Sequence, residues 1–217
     1  MQPYIIGISG GSASGKTYVL NRLKSNFTEE EITLISQDNY YKDLHEQEIE
    51  KDGMINFDHP KAFNDALYLE HLKKLIAGQS VKVREYKFNK PGEPITYAHY
   101  KPAPILIIEG LFVFYFEAIA NLMNLKVFVE ADEHIKFARR IKRDYSDRGY
   151  AIENIIEQYV SYVVPMYRKF VEPYKWDCDI IIPNNKHLKT GISVLINHIK
   201  VILQESIIAK EKPIQEN

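Results

Sequence analysis

The chain has 217 residues and balances 28 Lys and Arg against 29 Asp and Glu, for a formal net charge of −1. That balance gives no polyelectrolyte reason to bind nucleic acid or an anionic membrane surface, and the single cysteine, Cys178, excludes an intramolecular disulfide and suits a reducing compartment. No apolar run reaches bilayer-spanning length and the N-terminus has no basic segment ahead of its apolar stretch, so the sequence reads as one soluble, cytoplasmic α/β domain over residues 1–207, with 208–217 as a disordered tail.

Ile5 to Ile8 reads as a buried strand that enters Gly10-Gly11-Ser12-Ala13-Ser14-Gly15-Lys16-Thr17. This run matches G-x-x-x-x-G-K-[ST] in full and opens a helical pattern with Val19, Leu20 and Leu23 on one side. Gly10 and Gly15 suit positive φ and close backbone approach. Loop amides and a helix N-terminus meet phosphate charge with fixed dipoles. Lys16 adds a full charge, and the Thr17 hydroxyl is of the kind that ligates Mg²⁺. A Gly/Ser turn ending in Lys-Thr by coincidence is the competing reading, and the agreement of strand, loop and helix speaks against it. The motif points to a nucleoside triphosphate without choosing between kinase, GTPase and ATPase.

Ile32 to Ile35 reads as a second buried strand and delivers Asp38 to its carboxyl end, where ligands of open parallel sheets sit. A carboxylate there can orient a hydroxyl and accept its proton, or simply cap a turn. Residues 39–54 are polar and form a long loop or a short helix. Phe57 offers a stacking face and Asp58 an acceptor for sugar hydroxyls; core packing and a helix cap are the plainer alternatives. A helix follows from about 64 to 77. Val81 to Phe88 and Ile95 to Tyr100 alternate around a turn at 89–94, which predicts a projecting hairpin over about 81–100. Tyr86 and Phe88 share one face of it, available to a base or to the hairpin's own packing.

Pro104 to Glu109 is a buried strand ending in an acid, the arrangement in which a carboxylate holds Mg²⁺ directly or through water; a local ion pair is the alternative. A short helix near 116–123 and a strand at 126–129 come next. From Asp132 the pattern is helical, with Arg139, Arg140 and Arg143 within one turn and Arg148-Gly149 behind. Over about 139–149 this reads as a lid that carries guanidinium groups onto phosphates, or as a solvated basic face neutralised by Asp132, Glu133, Asp144 and Asp147. A long helix over 152–170 bears Gln158, Tyr159, Tyr162 and Tyr167, and Pro165 should kink or split it. Asp179 to Pro183 is the last strand, and Leu188 to about Gln204 the closing helix. The scattered histidines offer no spacing for a protein-held transition metal.

As a set, these motifs resemble the uridine kinase (uridine–cytidine kinase) family of P-loop kinases from about residue 4 to 203. They are Ser9 to Thr17, Ser36-Gln37-Asp38-Asn39-Tyr40-Tyr41, Asn56-Phe57-Asp58-His59-Pro60, Ile108-Glu109-Gly110, Arg139-Arg140-Ile141-Lys142-Arg143-Asp144, Asp147-Arg148-Gly149, Gln158-Tyr159, Pro165-Met166-Tyr167, Glu172-Pro173 and Asp179 to Pro183. The resemblance implies a P-loop NTPase fold, a central parallel sheet of five strands flanked by helices with a projecting β-hairpin, and often a homotetramer. It implies ATP- or GTP-dependent phosphorylation of the 5′-hydroxyl of uridine or cytidine with Mg²⁺. Asp38 then resembles the catalytic base, acting with Lys16 and Arg143. Gly10 to Thr17 and Arg148 would hold the triphosphate, and Thr17 and Glu109 the metal. Tyr41, Phe57, Asp58, Tyr86, Phe88, Arg140 and Gln158 would hold the nucleoside.

The chain departs from the family pattern at Lys87, at Pro91, where a base-reading histidine falls in the family, and at Tyr150, where a basic residue is usual. A phosphoribulokinase-like or pantothenate-kinase-like enzyme with another hydroxyl substrate is the nearer alternative. The loop lacks the Gly-x-Pro-Gly form associated with nucleoside monophosphate kinases. A non-catalytic nucleotide-dependent regulator is the alternative from another class, and Asn184-Asn185-Lys186-His187 lacks the acid of a guanine-reading Asn-Lys-x-Asp.

Overall fold

A computed structural model describes residues 2–50, 53–90 and 92–211. In chain order its strands are β1 (Tyr4–Ser9), β2 (Ile32–Ser36), β3 (Val81–Arg84), β4 (Tyr97–Tyr100), β5 (Ile105–Glu109), β6 (Leu125–Glu130) and β7 (Ile180–Pro183). The helices are α1 (Lys16–Lys24), α2 (Asp65–Ile76), α3 (Glu117–Ala120), α4 (Glu133–Ser146), α5 (Ile152–Gln158), α6 (Val164–Phe170) and α7 (Lys189–Glu211). Five strands form one parallel sheet in the order β2-β5-β1-β6-β7. Covered on both sides, these strands read as near-continuous apolar runs. Side-chain alternation then divides them between two cores. Ile5, Leu106 and Ile108 pack with Tyr68, Leu72 and Leu75 of α2. Ile6, Ile8, Ile105 and Ile107 pack on the other side with Val19, Leu20 and Leu23 of α1 and with Ile192, Leu195, Ile196 and Ile199 of α7.

Local chemistry places the helices. The Asn64 side chain accepts from the Leu67 N–H (3.0 Å) and so starts α2. Pro165, which has no N–H, sits just after a local change of helical pitch in a segment that stays helical from Ile152 to Phe170. The path passes through a π-helical turn at Tyr159–Val163, where the Val164 N–H bonds to the Tyr159 carbonyl five residues back, and Pro165 then falls in the first turn of α6.

Two expectations are corrected. The hairpin ladder is shorter than its alternation suggested, pairing Val81–Arg84 with Tyr97–Tyr100 and ending at the Glu85 N–H to Thr96 carbonyl bond (2.9 Å). Beyond Glu85 the first strand leaves the ladder; the Tyr86 N–H, which in this register points away from the partner strand, bonds to Asn39 Oδ1 (3.1 Å), and Tyr86 and Phe88 lie on the connecting loop. The base of the hairpin is anchored through buried Val81 and Val83 in the α2-side core. The arginine segment occupies the second half of α4 plus the turn at Gly149, with Arg140 6 % and Asp144 3 % exposed. Finally, α7 runs on to Glu211, past the point where the tail was expected to begin; residues 212–217 and Pro91 lie outside the described residues. Among the described residues no helix is long and apolar enough to cross a membrane.

Candidate active site

The site lies beyond the carboxyl ends of β1, β5 and β2, three adjacent strands. The loop from Gly10 to Gly15 is held close to its surroundings. A Cβ at Gly10 (φ +148°) would run into the Val129 carbonyl oxygen, and one at Gly15 (φ +110°) into the Asn184 side chain. Asn184 Nδ2 donates to the Ser14 carbonyl (2.7 Å) and Arg139 Nη2 to the Asn184 carbonyl (2.9 Å), so the loop is tied to the end of β7 and to α4. Lys16 Nζ donates to the Gly10 and Gly11 carbonyls (2.9 and 3.2 Å). Burial lowers the Lys16 pKa, while the charges of Glu109 and Asp38 oppose the shift.

Register places the acids. Glu109 stands level with Ile8 on one side and Ser36 on the other. The Ser36 hydroxyl donates to its carboxylate (2.8 Å). Burial pushes the Glu109 carboxyl up to about 7, against the pull of Lys16. Gln37 Oε1 accepts from the Phe112 N–H (2.9 Å), and its side chain fills the space that a Cβ at Gly110 would need. That contact fixes the exit from β5. Asp38 follows in a 3₁₀ turn, Gln37–Tyr40, with its N–H on Ser36 Oγ (3.3 Å).

A cavity of about 600 Å³ joins these groups. Ser12, Ala13, Gly15, Lys16 and Thr17 line it, as do Asp38, Asp58 and Glu109, the arginines 139, 140, 143 and 148, and Tyr41, Phe57, Phe88 and Gln158. Gly10, Gly11, Ser14 and Tyr86 do not. Ser14 is buried, Gly11 faces Lys136 and Tyr167, and Tyr86 backs Tyr41 and Phe88, with ring centroids 4.9 Å from each. Tyr41 is the centre of this aromatic group, tilted onto Phe63 (4.0 Å) and edge-on to Phe57 (5.8 Å) and Phe88 (5.4 Å). Arg140 grips Asp58 through two nitrogens (3.1 Å each) and donates to Ser12 Oγ (3.0 Å), so one guanidinium spans the aromatic end and the phosphate loop. The loop of the hairpin closes over the same end. Asn89 Nδ2 donates to the Arg148 carbonyl (2.7 Å), and the Arg148 guanidinium lies 3.8 Å over the Phe88 ring.

Sequence reasoning singled out the residues brought together here and named Asp144 as one of four acids that could neutralise the arginines, without choosing among the four. The arginines do not point freely; Arg140, Arg143 and Arg148 converge on Asp144. Burial alone would raise the Asp144 carboxyl, but the Arg143 hydrogen bond and the three guanidinium charges hold it below the usual carboxylate value. Its spacing, four residues after Arg140 and four before Arg148, was the available signal. Leu44, Ile55 and Leu111 also line the cavity and carried no motif. Tyr150, noted only as a departure, lines it as well.

A phosphate loop at a strand-to-helix turn, acids at the ends of two neighbouring strands and a shared cavity form a P-loop nucleotide site, and the chain's relatives make its bearer a kinase that acts on an alcohol group. The chain belongs to the phosphoribulokinase/uridine kinase family, whose model matches residues 5–191. It is 38 % identical over 205 residues to a uridine kinase of Streptococcus gordonii, covering 94 % of this chain and 98 % of that one. It is 39 % identical over 206 residues to a uridine kinase of Geobacillus sp., covering 94 % and 97 %. The fold also resembles that of phosphoribulokinase from Rhodobacter spheroides, with a TM-score of 0.53, 19 % identity and coverage of 78 % and 68 %.

Proposed function

We propose that the protein transfers the terminal phosphate of ATP or GTP to the 5′-hydroxyl of uridine or cytidine, as one domain acting in pyrimidine salvage in the cytoplasm. One observation carries this reading: a single cavity joins the phosphate loop to an aromatic cluster, with Asp38 among its lining groups. Full-length similarity to proteins named uridine kinase supports it.

Among the described residues no group of three or more His, Cys, Asp or Glu could hold a metal by protein ligands alone. That suits Mg²⁺, which binds through one or two carboxylates, phosphates and water. The Thr17 hydroxyl and Glu109 carboxylate supply hard oxygen donors beside the loop, and Mg²⁺ bound there with the triphosphate would neutralise charge on its outer phosphates.

The residues would divide the work by position. Loop amides and Lys16 hold the phosphates. Tyr41, Phe57 and Phe88 pack against the base with Tyr86 behind them, and Gln158 gives it a polar edge. Asp58 and Arg140 hold the ribose hydroxyls. Asp38 orients the 5′-hydroxyl and accepts its proton as phosphate leaves the donor. Arg143 and Arg148 spread the charge of the group in flight. A homotetramer is proposed on the family resemblance alone.

ADP release with Mg²⁺·ATP, measured against uridine, cytidine, purine nucleosides, ribulose 5-phosphate, pantothenate and a blank, tests the reading. Turnover is expected with the pyrimidine nucleosides; silence with both and turnover with another acceptor would overturn it. Asp38→Asn should lower kcat about 10²–10⁴-fold with ATP binding retained, the usual scale of a positioned base.

A further inference from the structure

Asp144 sits in the last turns of α4, 3 % exposed, and faces three cations. Arg140 Nε lies 3.1 Å from its Oδ2, Arg143 Nε donates to Oδ1 at 2.8 Å, and Arg148 Nη1 lies 3.2 Å from Oδ1. The three arginines differ in what else holds them. Arg140 also has both oxygens of Asp58 and the Ser12 hydroxyl. For Arg143 and Arg148, Asp144 is the one carboxylate in ion-pair range among the described residues. Their side chains are 33 % and 20 % exposed, and both line the phosphate cavity. The backbone enforces the meeting: Gly149 (φ +70°) turns the chain so that the Tyr150 N–H reaches the Asp144 carbonyl (3.0 Å), folding Arg148 back over its own helix.

One carboxylate is a poor match for this much charge. Guanidinium groups fork onto phosphate oxygens as readily as onto carboxylate, and a triphosphate carries several charges where Asp144 carries one. We propose that Asp144 is a positioning residue, an internal counter-anion that keeps Arg143 and Arg148 gathered beside the phosphate loop until a polyphosphate takes them over. The inference deepens the kinase reading and rests on it for the nature of the incoming anion. It gives the site two properties at once. The guanidinium groups are aimed before the nucleotide arrives, and lesser anions must displace a resident carboxylate to bind.

Asp144→Asn keeps the shape and removes the charge. Calorimetric titration with tripolyphosphate should find affinity raised about tenfold over the wild type, the scale of one charge-assisted contact set free. Nucleoside-dependent ADP release should fall about 10²-fold in kcat as the guanidinium groups lose their aim. A residue that merely held the helix in place would weaken binding and turnover together. The variant should also melt lower than the wild type, with tripolyphosphate raising its Tm by more than it raises the wild type's. Unchanged or weaker tripolyphosphate affinity, or a Tm gain no larger than that of the wild type, overturns the proposal. If D144N does not fold, R148M and D144N/R148M replace it: the double variant should bind tripolyphosphate more tightly than the single, and equal affinity overturns the proposal. Wild-type turnover with uridine, run in parallel, separates the two readings. No uridine turnover with the affinity rise intact removes the nucleoside assignment and keeps the role of Asp144, and the converse result does the opposite.

Discussion

Asn184 marks how much of the phosphate loop depends on residues outside it. The loop motif supplies amides and a lysine, but the Ser14 carbonyl is held by a side chain 170 residues away (2.7 Å). Asn184→Ala should leave that carbonyl with only the longer contact from Arg139 Nη1 (3.5 Å) and lower stability by about 0.5–1.5 kcal/mol, the usual net range for one lost hydrogen bond. Urea unfolding measures the loss, and nucleoside triphosphate affinity should fall with it as the loop loosens. Asp144 predicts a pH signature. Its folded carboxyl titrates below the ordinary 3.8, so its ion pairs contribute stability in full above that value. The contribution fades as pH drops through the lower folded value. The stability gap between the wild type and D144N, read by thermal melts, should therefore be level from about pH 7 to 5 and narrow below 3.8.

At the scale of elements, the hairpin and α4 meet over the same cavity. Phe88 stacks under Arg148, and Asn89 holds the Arg148 carbonyl. Phe88→Ala should raise KM for uridine about tenfold, as expected when a stacking side chain worth ~1–3 kcal/mol is removed, with a smaller change in KM for ATP. Steady-state kinetics with each substrate varied in turn checks the difference. The same elements mark the limits of sequence reading. Strands and helices with one repeating apolar period were legible, because burial on both sheet faces leaves no other pattern. The hairpin's extent was not, since the alternation of side chains runs on past the last ladder bond, Glu85 N–H to the Thr96 carbonyl, into the loop. The arginines were legible as a cluster, but the competition between phosphate and Asp144 for them depends on burial, which local spacing does not carry. Pro165 predicted a kink or split in the long helix, and the segment instead stays helical across it, through a π turn just upstream.

For the molecule as a whole, the order β2-β5-β1 has a consequence for how the protein is made. β1 and β2 lead into the phosphate loop and Asp38, yet they do not pair with each other. β5, synthesised about 70 residues after β2, is inserted between them and pairs with both. A growing chain that stops short of Ile105 has two lone strands and no partner for either. Closing such long loops before any pairing is rewarded slows folding. Nascent chains arrested before residue 105 should therefore fail to bind nucleoside triphosphate although their phosphate loop is complete, and chains extended past β6 should begin to acquire protease resistance. Limited proteolysis of a series of stalled chains would read the transition. Protection that appears already with β2 would refute this order of assembly. Until β5 emerges, the nascent chain exposes two unpaired apolar strands, and that interval is the time of its greatest risk of aggregation.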